Sequence, residues 1–103
     1  MDRLEEALAD CNESLRLRPG NSSTLASRGF VYLKLGRPRE AIADYDTEIK
    51  VNPGNPYSLF GRGIAKRVIG DPAGACADIA AATVIDPAIT ETMAKLGVRS
   101  ELR

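Results

Sequence analysis

The chain has 103 residues, 14 Lys+Arg balanced by 14 Asp+Glu, 44% hydrophobic residues and no histidine. Zero formal net charge argues against a surface that tracks nucleic-acid phosphates, and the missing histidine removes the usual general base and the commonest neutral metal ligand. No apolar run approaches the roughly 18 residues of a membrane span, and the acidic start MDRLEEALADC has no apolar signal core, so the expectation is a cytoplasmic protein that binds neither nucleic acid nor membrane and needs no cofactor or metal.

In chain order, residues 2–18 place Leu4, Leu8, Cys11 and Leu15 on one face at helical spacing. A second helix is predicted over 22–35, where Leu25, Gly29 and Tyr32 form one series and Ala26, Phe30 and Leu33 another. Gly36 follows at a C-terminal cap, since glycine tolerates the left-handed conformation. Pro38 then opens a helix that runs to about residue 51 with Ala41, Tyr45 and Ile49 on a face. Asn55 and Pro56 start the next helix as cap and first residue, and it stops at Gly70. Asp71-Pro72 opens an alanine-rich partner, AGACADIAAATVI, for which close packing of the axes is expected. A last helix is predicted over 89–102. Cys11 and Cys76 stand far apart in the chain and outside any CxxC pair, so they read as small buried hydrophobes; nothing local favours a disulfide or a reactive thiol.

The elements repeat. Pro19, Pro53 and Pro87 recur at one fixed interval, and the same interval separates Gly29, Gly63 and Gly97, Ala7, Ala41 and Ala75, and Asp10, Asp44 and Asp78. Arg28 and Arg62 keep the same register. The layout is half a unit, two whole units and half a unit: 1–21, 22–55, 56–89 and a capping helix over 90–103.

These residues carry a resemblance. Leu25, Gly29 and Tyr32, then Ala41 and Tyr45, then Pro53, with Leu59, Gly63, Ala75 and Pro87 in the following unit, resemble the tetratricopeptide repeat, a helix–turn–helix of about 34 residues. The sequence departs from that pattern at Cys11, Lys66 and Ile79, which stand at aromatic positions, and at Arg28 and Arg62, which stand at a leucine position. The resemblance implies an all-α, right-handed α-solenoid of stacked antiparallel helix pairs. It further implies a non-enzymatic scaffold whose concave groove takes an extended peptide or a helix of a partner protein. The groove face would present Ser23, Ala26, Phe30, Leu33 and Lys34, then Tyr57, Phe60, Ile64, Arg67 and Val68, with Glu91, Ala94, Val98 and Glu101 from the last helix. Phe30, Leu33, Lys34, Tyr57, Phe60, Ile64 and Arg67 are the candidate partner-binding residues. Some relatives in that family grip a C-terminal carboxylate with lysines and asparagines; the matching positions here include Ala26, Phe30, Phe60 and Ile64, so that use is not expected.

An arginine on a packed face needs an anion. Arg28 with Asp44 and Arg62 with Asp78 would pair within units; Asp10 with Arg28 and Asp44 with Arg62 would pair between them. The trailing half-unit favours the first scheme, because it has no second helix and carries Leu96 in the arginine's place. Periodic Gly29, Gly63 and Gly97 point to close helix approach. The leading helix offers a rival function: with no partner helix of its own unit, its Leu4, Leu8, Cys11 and Leu15 suggest either self-association as a homodimer or a piece of a longer repeat protein. No phosphate loop, nucleophile elbow or metal cluster is visible, and Glu40, Asp44, Asp46 and Glu48 read as a solvated helix face plus the expected ion pair.

Overall fold

The structure, a computed structural model, describes residues 3–97. These form six helices: α1 (Arg3–Leu17), α2 (Ser22–Lys34), α3 (Pro38–Val51), α4 (Pro56–Val68), α5 (Pro72–Ile85) and α6 (Ile89–Lys95). There is no strand among the described residues, and no single helix is long and apolar enough to cross a membrane.

The helix ends follow from local chemistry. Asn21 Oδ1 accepts from the Thr24 N–H at 3.1 Å, Asn55 Oδ1 from the Tyr57 N–H at 3.0 Å, and Asp71 Oδ1 from the Gly74 N–H at 3.0 Å. Each occupies a backbone donor that the first helical turn leaves without a partner. Pro38, Pro56 and Pro72 are the first residues of α3, α4 and α5, where a missing N–H costs nothing. Gly36 and Gly70 end α2 and α4 at φ +76° and +90°. The N–H groups after them, on Arg37 and Asp71, return to the Tyr32 and Lys66 carbonyls at 2.8 Å.

Packing follows chain order: α1 lies on α2, α2 on α3, α3 on α4 and α4 on α5. At the centre, the Tyr45 ring sits between two glycines on different helices. A Cβ at Gly29 of α2 would come within 2.9 Å of the ring, and one at Gly61 of α4 within 2.5 Å. One unit later the contact recurs in altered form: a Cβ on Gly63 would meet Ile79 Cγ1 at 2.8 Å and the Ala75 carbonyl at 3.1 Å. Tyr45 and Ile79 themselves occupy the same position of successive units. Burial pushes the Tyr45 phenol well above its ordinary pKa, with the Asp44 carboxylate adding to the effect.

Two expectations differ from the structure. The last helix was expected to run over 89–102, but α6 ends at Lys95 and Gly97 takes φ +88°. Gly97 therefore closes a helix where its period-mates Gly29 and Gly63 lie inside one; Val98, Arg99, Ser100, Glu101 and Arg103 lie outside the described residues. The chain bends by 104° between α5 and α6. Like α4 on α2, α6 lies on the first helix of the preceding pair, α4, but its contact with α5 is slight. Its far end reaches α2, where Lys34 Nζ donates to the Leu96 carbonyl at 3.1 Å. On α5 the close approach to α4 is as expected, and the difference lies at Cys76. Ala75 and Ala82 are buried as expected of a close seam, but Ala73, Cys76, Ala77, Ala80, Ala81 and Val84 face outward. The one charged residue of α5, Asp78, points inward, so its outer face carries no charge and Cys76 is exposed rather than buried.

Candidate functional site

Two constellations gather the polar residues. The first joins successive helix pairs. Arg28 Nε and Nη2 donate to the two carboxylate oxygens of Asp44, both at 2.7 Å, while Nη1 donates to Asn12 Oδ1 at 2.9 Å. Arg62 repeats the figure: Nε and Nη2 meet Asp78 at 2.8 and 2.9 Å, and Nη1 meets Asp46 Oδ1 at 2.9 Å. Each guanidinium thus holds its own unit's aspartate in a fork and reaches back to the preceding helix. The backward contact falls on Asn12 and Asp46, which share one position of the repeat, and not on Asp10 and Asp44, the residues a between-unit scheme would use. Asp10 is exposed on α1. Lys66 Nζ adds a third cation contact to Asp78 at 3.1 Å.

These bonds explain the titration shifts. Hydrogen bonding to Asp44 raises Arg28, and hydrogen bonding to Asp78, with Asp46 behind it, raises Arg62. Burial works against the Asp78 carboxylate, but the hydrogen bonds and charges of Arg62 and Lys66 outweigh it and hold its pKa below the ordinary value. The third seam lacks the parts. Leu96 stands in the arginine's place and Ala80 in that of Asp46, so the fork has no counterpart between α5 and α6.

The second constellation is a cavity of about 460 Å³ bounded by α1, α2, α3, α4 and α6. Ala26 and Phe30 of α2, Tyr57 at the start of α4, and Met93 and Leu96 of α6 give it a largely apolar wall. Glu48 of α3 and Ser58 of α4 also line it, and both are inaccessible to solvent, at 1% and 0% exposure. Glu48 Oε1 and Ser58 Oγ have no hydrogen-bond partner among the described residues, an expensive condition for buried polar atoms. Glu48 is the one charged residue in the described lining.

Of the expected partner-binding residues, Phe30 and Tyr57 line this cavity. Leu33, Phe60 and Ile64 do not: they belong to the core, Phe60 and Ile64 with no exposed surface. The cause is α6, whose Ile89 and Met93 join the same buried cluster and cover the α4 face that was expected to stand open. Lys34 is exposed at the α6 end, its ammonium 5.8 Å from the Phe30 ring centroid, and half-buried Arg67 lies outside the cavity lining. Ser23 and Ala26 border the cavity, Val68 and Glu91 are exposed, and Ala94 is half-buried; none of the last three lines it. Val98 and Glu101 lie outside the described residues.

The residues of the expected self-association face divide between buried and half-buried. α1 packs on α2 alone, so α2 covers Leu8 and Leu15, leaving Leu4 and Cys11 half-buried. Burial pushes the Cys11 thiol above its ordinary pKa, which Arg28 partly opposes.

Glu48, read from the sequence as part of a solvated face, is the residue that reading missed. The signal was present in the period. Ser14, Glu48 and Ala82 are equivalent positions, and a carboxylate between a serine and a buried alanine is out of keeping with a seam. Met93 and Leu96 reach the cavity from α6 and the residue after it, far along the chain from Phe30 and Glu48. Among the described residues, no group of three His, Cys, Asp or Glu could hold a metal ion. No protein-family model matches the sequence, and no curated protein is significantly similar to it.

Proposed function

We propose that the chain is a protein-interaction module of tetratricopeptide-like helix pairs, arranged as a short right-handed solenoid, that binds an extended peptide of a partner protein without catalysing a reaction. The helix order, the fixed-interval recurrence and the repeated arginine forks support the architectural part. The observation that carries the binding part is the cavity, a concave, largely apolar recess with a few convergent polar groups. Phe30 and Tyr57 are its aromatic walls, the residue type that anchors interfaces most often. Their backbones are fixed on helices, so little order has to be created on binding.

Selection of peptides from a displayed random library tests this. Selected peptides are expected to perturb the amide resonances of Ala26 and Tyr57 and to lose about tenfold or more in affinity with Phe30→Ala, the loss of one anchor. Undiminished binding by Phe30→Ala and Tyr57→Ala, with perturbations elsewhere, removes the cavity as the site.

A further inference from the structure

The three equivalent seams treat the same two positions differently. At the first, Ser14 Oγ and Thr24 Oγ1 lie 3.2 Å apart and satisfy each other. At the third, Ala82 carries no polar side-chain atom, and Thr92 Oγ1 donates to the carbonyl of Ala88 at 3.1 Å. At the second, Glu48 and Ser58 take the places of Ser14 and Thr24. There the pair is buried and unpartnered, and both residues border the cavity, so a ligand would reach the two oxygens through a small shift of the side chains that cover them. Two of the three seams therefore satisfy or omit these polar atoms, and the one facing the cavity does neither.

We propose that this pair is the anchor for a lysine side chain of the bound peptide, an inference that rests on the cavity being the peptide site. The charge balance points to a cation: Glu48 makes no ion pair among the described residues, and no Lys or Arg among them lines the cavity. The donor count points to an ammonium. Its three N–H groups match Glu48 Oε1, Ser58 Oγ and the nearby Asn52 side chain, whereas a guanidinium brings five donors in a rigid plane. The lysine stem would run along Phe30 and Tyr57, apolar surface that a four-carbon chain covers well. Lysine binding would supply the partner that both buried oxygens lack, so the same atoms that burden the free protein favour the complex.

The test sequences the selected peptides and measures their affinity for three proteins: the full chain, Glu48→Gln, which keeps the side-chain shape, and Ser58→Ala, each first shown to be folded by circular dichroism. The expected result is one lysine common to the selected peptides. Replacing it with norleucine should weaken binding to the full chain about tenfold or more, and to Glu48→Gln hardly at all, with Ser58→Ala in between. Arginine or an apolar residue selected in its place, or an equal lysine preference in Glu48→Gln, overturns the anchor. If peptides without lysine bind and perturb the cavity resonances, the anchor falls and the peptide site stands. If no peptide is selected, or the perturbations map outside the cavity, both fall.

Discussion

Tyr45 has a glycine on either side, and that sandwich sets the spacing of three helices. Alanine at Gly61 would gain roughly 1 kcal/mol of helix propensity. Its Cβ, however, would lie 2.5 Å from the Tyr45 ring, which Gly29 blocks from behind. Overpacking of this kind costs about 1–3 kcal/mol, so Gly61→Ala is expected to lower the urea midpoint despite its better propensity. Gly20→Ala, with nothing within 4 Å of the new Cβ, is the control and should leave the midpoint close to unchanged. The sequence revealed Gly29 and Gly63 because they recur, but Gly61 has no period-mate; its period position in the preceding unit is Ser27. Its contact depends on how α4 leans on α3, which no local pattern encodes.

At the scale of the helix pair, the arginine forks give an ordering that counting bonds would get wrong. Arg62 makes contacts to two aspartates and Arg28 to one. Yet Arg28→Ala should be the more damaging change. It leaves buried Asp44 with no cation, a loss of about 3 kcal/mol for a buried charge stripped of its partner. Arg62→Ala leaves Asp78 with Lys66 still 3.1 Å away, so a smaller loss is expected; urea unfolding of the two variants decides the order. Acid provides a second check. The folded-state pKa of Asp78 is depressed, so its contribution to stability is fully present above its ordinary value of 3.8 and fades as pH falls through the lower folded value. The stability gap between the native chain and Asp78→Asn should therefore be largest near neutral pH and shrink below pH 3.8. The within-unit pairing was legible because a recurring arginine and a recurring aspartate had to meet. The backward contact was harder to see, because Asn12 and Asp46 share a position but not a side chain.

Over the whole molecule, the recurrence describes the fold for as long as it continues and misleads where it stops. The starts of α2 to α5 and their caps could be read from prolines, asparagines and glycines. The early end of α6 at Lys95 could not, and the third seam, with Leu96 and Ala80 at the positions of the arginine and of Asp46, has no fork to match the first two. α6 packs on α4 and, more slightly, on α5, and its Ile89 and Met93 share one buried cluster with Phe60 and Ile64 of the face that was expected to stand open. The candidate site is correspondingly smaller than the sequence implied. Phe30 and Tyr57 remain from the expected set, and Glu48 and Ser58 are added by burial.

The uncharged outer side of α5 has a practical use. Its Cys76 stands exposed on a rigid helix, while Cys11 is half-buried with its thiol pushed toward the protonated, unreactive form. Alkylation by a maleimide dye should therefore proceed in two phases, Cys76 well ahead of Cys11, as peptide mass spectrometry after a short pulse would show. Stopped after the first phase, the reaction attaches a single fluorophore to the natural sequence, and its emission can follow unfolding without any engineered cysteine.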